Sequence, residues 1–194
     1  MFAELLSQRL TSLVQLSPIQ INKLEDHFLL LNKWNRVLNL TSLRDVQEIV
    51  ERHYCESIFL GIHLPVGNLN IADVGSGPGF PGIPVAVLRP DCSVCLIESH
   101  QRKSAFLREA TRGLANVHVL ARRVEEVSER FDWSVCRAVK FSDIEKSVAD
   151  ISGSVSVLGG KDRPPASRFT WNDPVRLPWG HQRYLWLGIR TRST

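Results

Sequence analysis

The residues best suited to chemistry lie in one short run, Asp73-Val74-Gly75-Ser76-Gly77-Pro78-Gly79-Phe80-Pro81-Gly82, where an acid and four glycines share a single turn. Glycine reaches positive φ without a Cβ penalty and lets backbone N–H groups approach a ligand, so such a turn suits a nucleotide-shaped cofactor. The turn follows a strand-like run, Leu69-Asn70-Ile71-Ala72, and precedes a helical pattern from Ile83 to Leu88. Strand, glycine turn and helix form the opening unit of a doubly wound α/β sheet.

Two registers compete for the turn. Gly77-x-Gly79-x-x-Gly82 matches the dinucleotide fingerprint, whereas Asp73-x-Gly75-x-Gly77-x-Gly79 resembles the loop of S-adenosylmethionine-dependent methyltransferases. Pro78, Pro81 and Pro84 remove N–H donors that a pyrophosphate would use, and Asp73 would repel one. A sulfonium cofactor carries no phosphate, and the acid suits its cationic ammonium. The second register is therefore the expected one.

The elements that must position this turn follow from a change of period along the chain. From Leu69 onward, short apolar runs alternate with amphipathic stretches: Val94 to Ile97, Lys103 to Leu114, Val117 to Leu120, Trp133 to Cys136, Ser142 to Ile151 and Gly153 to Leu158. This βαβα order predicts a parallel sheet. Lys161 to Leu177, rich in proline, arginine and aromatics, reads as loop with at most short strands, and Arg183 to Ile189 as a closing strand. Before residue 65 the pattern is helical. Ser17-Pro18-Ile19-Gln20 combines an N-cap, a proline at the first helical position and a capping-box glutamine, with Ile21, Leu24, Phe28, Leu31 and Leu38 following at helical spacing. Asp45 with Glu48 opens a second helix carrying Val46, Ile49, Val50, Ile58 and Phe59, with Gly61 near its end. Residues 1–65 are expected to form a helical cap and residues 66–194 a Rossmann-like core, the two making one compact domain.

In open α/β sheets ligands lie beyond the carboxyl ends of the strands, so the residues there are the candidates. After the second strand comes Glu98, 23 residues beyond Gly75, where a carboxylate accepts hydrogen bonds from ribose hydroxyls. After the third comes Arg122-Arg123-Val124-Glu125-Glu126, suited to an adenine amino group, and the fourth ends in Cys136-Arg137-Ala138.

Composition narrows the classes further. Of 194 residues, 24 are basic and 20 acidic, for a net charge of +4, and arginine outnumbers lysine 18 to 6. Arginine's planar fork suits phosphate oxygens and leans toward nucleic acid. Cys55, Cys92, Cys95 and Cys136 are too scattered for a disulfide framework, which points to a reducing cytoplasm. Cys92-x-x-Cys95 has redox or zinc spacing, yet residues three apart in a strand face opposite sides, so no metal is expected. Glu4, Gln8 and Arg9 interrupt Met1 to Leu16, which does not read as a signal peptide, and no 18-residue apolar run suggests a membrane span.

Further residues carry a specific resemblance: Lys33-Trp34-Asn35 with Asn39-Leu40-Thr41-Ser42, Arg52-His53, the turn Asp73 to Pro84, Arg102-Lys103 with Phe106-Leu107, Arg123-Val124-Glu125-Glu126 and Arg137-Ala138. In order and spacing, from about residue 20 to 140, the chain resembles the RsmG (GidB) family, bacterial methyltransferases that act on N7 of one guanosine in 16S ribosomal RNA of the small subunit. The resemblance implies a Rossmann-like class I methyltransferase fold with S-adenosylmethionine as cofactor. It implies cofactor contacts from Asp73, Gly75, Gly77, Gly79, Phe80, Glu98, Val124, Glu125 and Arg137. Asp73 would fix the methionine part or the loop, and Arg52 with His53 would brace the cap. Lys33, Asn35, Arg123, Lys140 and Lys161 are the candidate RNA contacts, and Trp34 is either a core aromatic or another.

Guanine N7 bears a lone pair and no proton, so the transfer this implies needs no general base. Catalysis by holding N7 and the sulfonium methyl in line is expected, with Arg137 as the catalytic candidate reading guanine O6 or an RNA phosphate. The partner would be 16S ribosomal RNA or the small subunit, approached by a cytoplasmic monomer. Two other classes remain: an NAD-dependent oxidoreductase using the first register, and a ribosome-associated RNA-binding module without activity. The first of these calls for a proton-relay group, yet the only tyrosines are Tyr54, in the cap, and Tyr184, in the last strand. The tail departs from the family pattern, with Leu158-Gly159-Gly160-Lys161-Asp162 and a short proline-rich stretch replacing a longer excursion; Arg163 and Arg168 there are either phosphate contacts or solvated loop.

Overall fold

A computed structural model describes residues 1–165 and 167–191. Two helices open the chain, α1 (Phe2–Leu10) and α2 (Pro18–Leu38). The start of α2 is set by the expected capping box: the Gln20 N–H donates to Ser17 Oγ at 3.3 Å, and the Ser17 N–H donates to Gln20 Oε1 at 2.9 Å. Its end is set by Asn39, left-handed at φ 47°, and by Asn35, which pairs with both the N–H and the carbonyl of Thr41.

The second cap helix differs from the single regular helix expected. It runs as α3 (Val46–Ile49), a π-helical turn over Val50–Cys55, and α4 (Glu56–Ile62). Every residue from 53 to 61 is buried, so this helix is enclosed rather than amphipathic in its second half. In and just after the wide turn, His53, Tyr54 and Glu56 each bond a different inward partner: Thr41, His27 and Arg183.

The rest alternates. β1 (Asn70–Val74), α5 (Gly82–Leu88), β2 (Ser93–Ile97), α6 (Gln101–Ala110), β3 (Val117–Leu120), β4 (Trp133–Arg137), α7 (Phe141–Ile151) and β5 (Ser154–Gly159) are followed by β6 (Phe169–Trp171), β7 (Val175–Arg176) and β8 (Tyr184–Arg190). The sheet order is β3-β2-β1-β4-β5-β8-β6, with β7 also on β8; β1 to β5 are parallel and β8 runs antiparallel to β5. The order reverses between β1 and β4, so a crevice opens there beyond the strand ends. Helix α6 stops four residues before the expected Leu114, because Thr111 turns its hydroxyl back onto the Leu107 carbonyl and the Leu114 N–H closes a turn onto Thr111.

Alternation along β1 divides the interior. Ile71 belongs to a core shared with the cap, which includes Leu6, Leu24, Tyr54, Ile58, Ile83 and Phe106. Ala72 and Val74 belong to a core on the other face with Cys136, Val148 and Trp186. The cap and one face of the sheet thus bury a common apolar surface. No helix among the described residues is long and apolar enough to cross a membrane.

Sheet and helix approach each other closely at Gly82. A Cβ there would lie 2.5 Å from Asp73 Oδ2 and would also meet Leu96 Cδ2. Gly82→Ala is expected to cost about 1–3 kcal/mol through overpacking, measured as a lower denaturant midpoint with unchanged slope.

Candidate active site

The glycine turn fills the crevice at the end of β1. Gly75, Gly77 and Gly79 have φ of 74°, 55° and 92°. Positive φ at these positions turns the backbone outward, and a Cβ on Gly75 would sit 2.7 Å from Val139 Cγ1. Three side chains hold the turn in shape. Beneath it, Asp73 Oδ2 accepts from the Gly82 N–H at 2.9 Å. Beside it, Glu98 Oε2 accepts from the Gly77 N–H at 2.9 Å and Oε1 from the His100 N–H at 2.8 Å. Above it, His27 Nε2 donates to the Pro78 carbonyl at 3.0 Å, its tautomer set by the Tyr54 hydroxyl donating to Nδ1 at 2.9 Å. His27 had no sequence signal, because its position on α2 looks like any other core position.

Two cavities flank the turn. The smaller, about 140 Å³, has Val124, Glu125, Arg122, Arg123, Ile97 and Ile144 among its walls. The larger, about 350 Å³, has His53, Gly77, Phe80, Lys103, Arg137 and Leu40 among its walls. Gly75, Glu98 and Val139 line both. The arrangement suits an elongated ligand with a flat group at Val124, a hydroxylated middle at Glu98 and a charged end near Arg137.

Of the expected cofactor residues, Gly75, Gly77, Phe80, Glu98, Val124, Glu125 and Arg137 line these cavities. Asp73 does not. It is wholly buried under the turn, so its work is on the loop rather than on a ligand ammonium. Its Oδ1 has no hydrogen-bond partner, and burial pushes its pKa up to about 7 against the opposing pull of the Gly82 N–H. Gly79 also lines neither cavity; a Cβ there would run into Ile83, so it serves the turn and helix packing.

The RNA candidates divide similarly. Asn35 is buried with both ends of its amide on Thr41, which withdraws it from any RNA surface. Lys33, Arg123, Lys140 and Lys161 are exposed; Arg123 borders the smaller cavity and Lys140 pairs with Asp143 at 3.3 Å. Trp34 packs edge-on against Phe106 with centroids 5.8 Å apart, so it is at least partly a core aromatic.

Arg137 is held more tightly than the sequence implied. Its Nη1 donates to His53 Nδ1 at 2.8 Å, and its Nε lies 3.8 Å from Glu56 Oε2. Because Nδ1 accepts, His53 carries its proton on Nε2 and donates to Thr41 Oγ1 at 2.8 Å. The ring stacks on Phe80 at 4.6 Å and 18°. Burial, reinforced by the Arg137 charge, pushes His53 down to about 3, and burial takes His27 down to about 4. Both imidazoles are therefore neutral at ordinary pH, with their lone pairs already engaged. Burial lowers Arg137 to about 10 with Glu56 pulling back, so it stays cationic. Tyr54 is fully buried with its hydroxyl on His27 and lines neither cavity, which removes it as a proton relay. Ala138, beside Arg137, holds φ 54° at the rim of the larger cavity, a strained value for a residue with a Cβ.

The sheet order and glycine turn define a Rossmann-like class I methyltransferase fold. A magnesium protoporphyrin IX methyltransferase from Synechocystis, solved with bound SAM, superposes with a TM-score of 0.63 at 12% identity over 86% of this chain and 97% of that one. A ribosomal protein L11 methylase from Lactobacillus delbrueckii subsp. bulgaricus does so at 0.58 and 18% identity over 72% and 79%. Sequence carries the assignment further. Residues 20–154 match the GidB family model, rRNA small subunit methyltransferase G, and the chain belongs to that family. A ribosomal RNA small subunit methyltransferase G of Chromobacterium violaceum is 40% identical over 139 residues, covering 70% of this chain and 65% of that protein. One from Halorhodospira halophila is 42% identical over 136 residues, covering 69% and 64%. The chain thus spans roughly two thirds of the length of these curated relatives.

The buried Asp73 makes a pH prediction. Its folded pKa, about 7, lies above the ordinary 3.8, so between those values the folded state keeps a proton that the unfolded chain releases. Stability must fall as pH rises through that window, by up to about 1.4 kcal/mol per unit. Asp73→Asn keeps a carbonyl acceptor for Gly82 and cannot ionise. The stability of the variant relative to the parent should grow from pH 4.5 to 7 and level off above, in denaturant titrations at each pH.

Proposed function

We propose that this chain transfers a methyl group from S-adenosylmethionine to N7 of a guanosine in 16S ribosomal RNA, acting as a cytoplasmic monomer on the small ribosomal subunit. The observation that carries this reading is an anchored arginine beside the glycine turn, with His53, the histidine on the wall of the larger cavity, neutral and its lone pair spent on that arginine. N7 has no proton to remove, so this is the equipment its methylation requires. Four buried, unpaired cysteines agree with a reducing compartment.

The residues present fit the cofactor. Glu98, at the wall common to both cavities, retains a second lone pair on each oxygen for ribose hydroxyls while bonded to Gly77 and His100. Val124 and Ile97 would cover an adenine face, with Glu125 at its edge. When bound, S-adenosylmethionine supplies a methyl group on a sulfonium centre. Phe80, braced by the stacked His53, keeps an apolar wall along the larger cavity and limits water there. Arg137 offers donors to guanine O6 or a neighbouring phosphate, fixing the base so that N7 points at the methyl group. Lys33, Arg123, Lys140 and Lys161 would take phosphates around the mouth.

Incubation with methyl-labelled S-adenosylmethionine and either intact small subunits or naked 16S ribosomal RNA, followed by mapping of the modified base, tests the reading. Label at a guanine N7 is expected; label on protein, or none with either substrate, would overturn it. Arg137→Ala should lower the transfer rate about 100-fold, while Glu98→Ala should weaken cofactor affinity about tenfold by calorimetry.

A further inference from the structure

The C-terminal segment beyond the family-matched residues 20–154 reaches back into the site. Arg183, just before β8, donates to Glu56 through Nε at 2.9 Å and Nη2 at 2.7 Å. Glu56 is 1% exposed. Its Oε2 also faces Arg137 Nε at 3.8 Å, so one buried carboxylate stands between two guanidinium groups. The loop that presents Arg183 is itself fastened: the Leu177 N–H donates to the Arg183 carbonyl at 3.0 Å, and Trp179 packs edge-on against Phe59 of α4 at 6.1 Å. Phe59 and Glu56 lie one turn apart, so the same helix receives both anchors.

This geometry decides how Arg137 meets the cavity. Glu56 commits one lone pair of each oxygen to the bidentate pair with Arg183 and holds Arg137 only at a distance. Arg137 therefore spends Nη1 on His53, and its Nη2 has no hydrogen-bond partner among the described residues. Without Arg183, the Glu56 carboxylate would have Arg137 as its remaining cation, and the two would close to direct contact.

We propose that Arg183 and Glu56 are positioning residues for Arg137, the C-terminal arginine occupying the carboxylate so that Arg137 stays on His53 with its Nη2 edge turned to the substrate cavity. The proposal rests on the transferase reading for its kinetic consequence but not for its structural one. The buried cluster carries two cations against one anion, because His53 is neutral, and this leaves positive charge at the cavity for guanine O6 or a phosphate.

The experiment has two arms. In the first, the 15N shift of His53 Nδ1 is compared between the parent and Arg183→Met. A clear shift is expected as Arg137 leaves the imidazole, and an unchanged shift overturns the proposal whatever the activity. In the second, transfer rates are measured for Arg183→Met, Arg137→Ala and the double variant. Arg183→Met should lower kcat tenfold or more with the cofactor KM within twofold, and should add nothing in the Arg137→Ala background. Additive losses, or unchanged kcat, would overturn it. If the parent shows no transfer to RNA, the functional reading fails while the first arm still decides the geometry. Should Arg183→Met not fold, Arg183→Lys, which keeps the charge but loses the bidentate fork, carries both comparisons with smaller changes in the same direction.

Discussion

A turn containing three positive-φ glycines has little shape of its own, so its conformation has to be imposed from outside. Here the imposition comes from three directions: the Asp73 carboxylate below, the Glu98 carboxylate at the end of the next strand, and the His27 imidazole from the cap. Each acts on a different backbone group of the turn; the two carboxylates belong to adjacent strands of the sheet, Glu98 just past the end of its own, and the imidazole to the cap. The cavities on either side exist because that turn is held open between them, and the cap is required for this as much as the sheet. This explains why cap and sheet share one apolar core instead of meeting as separate bodies.

The second organising feature is the distribution of charge. A buried carboxylate facing two arginines and a neutral histidine is an imbalanced arrangement, and isolated charges at such depth are costly. The imbalance is tolerable because one arginine borders a cavity, where solvent or an anionic group can complete its solvation. The same cluster ties together pieces far apart in the chain: the π-helical turn, the end of β4 and the loop before β8. The cluster provides an oriented guanidinium and an electropositive wall, which is what the proposed methylation of guanine N7 would require in place of proton transfer.

Much of the architecture was legible in the sequence. The capping box at Ser17, the alternation of apolar runs after Leu69 and the glycine turn each depend on neighbours within a few residues, and each appears where expected. Glu98 and Val124 line the cavities because strand ends in a parallel sheet converge there by topology. What was missed has a common cause. The π-helical turn, the withdrawal of Asn35 onto Thr41, and the His27 bond to Pro78 all arise from partners that no local pattern reveals.

The sequence by itself determined the order of elements, the chemical character of the turn and the strand ends at which functional groups gather, since these follow from short-range backbone preference and hydrophobic period. Only the tertiary structure decided which groups are available to a ligand. Asp73 and Arg137 both look like cofactor contacts in the chain; packing places one beneath the turn and suspends the other between His53 and Glu56. A side chain's role depends on which of its polar atoms are already bonded, and those bonds are made between residues as many as 127 positions apart.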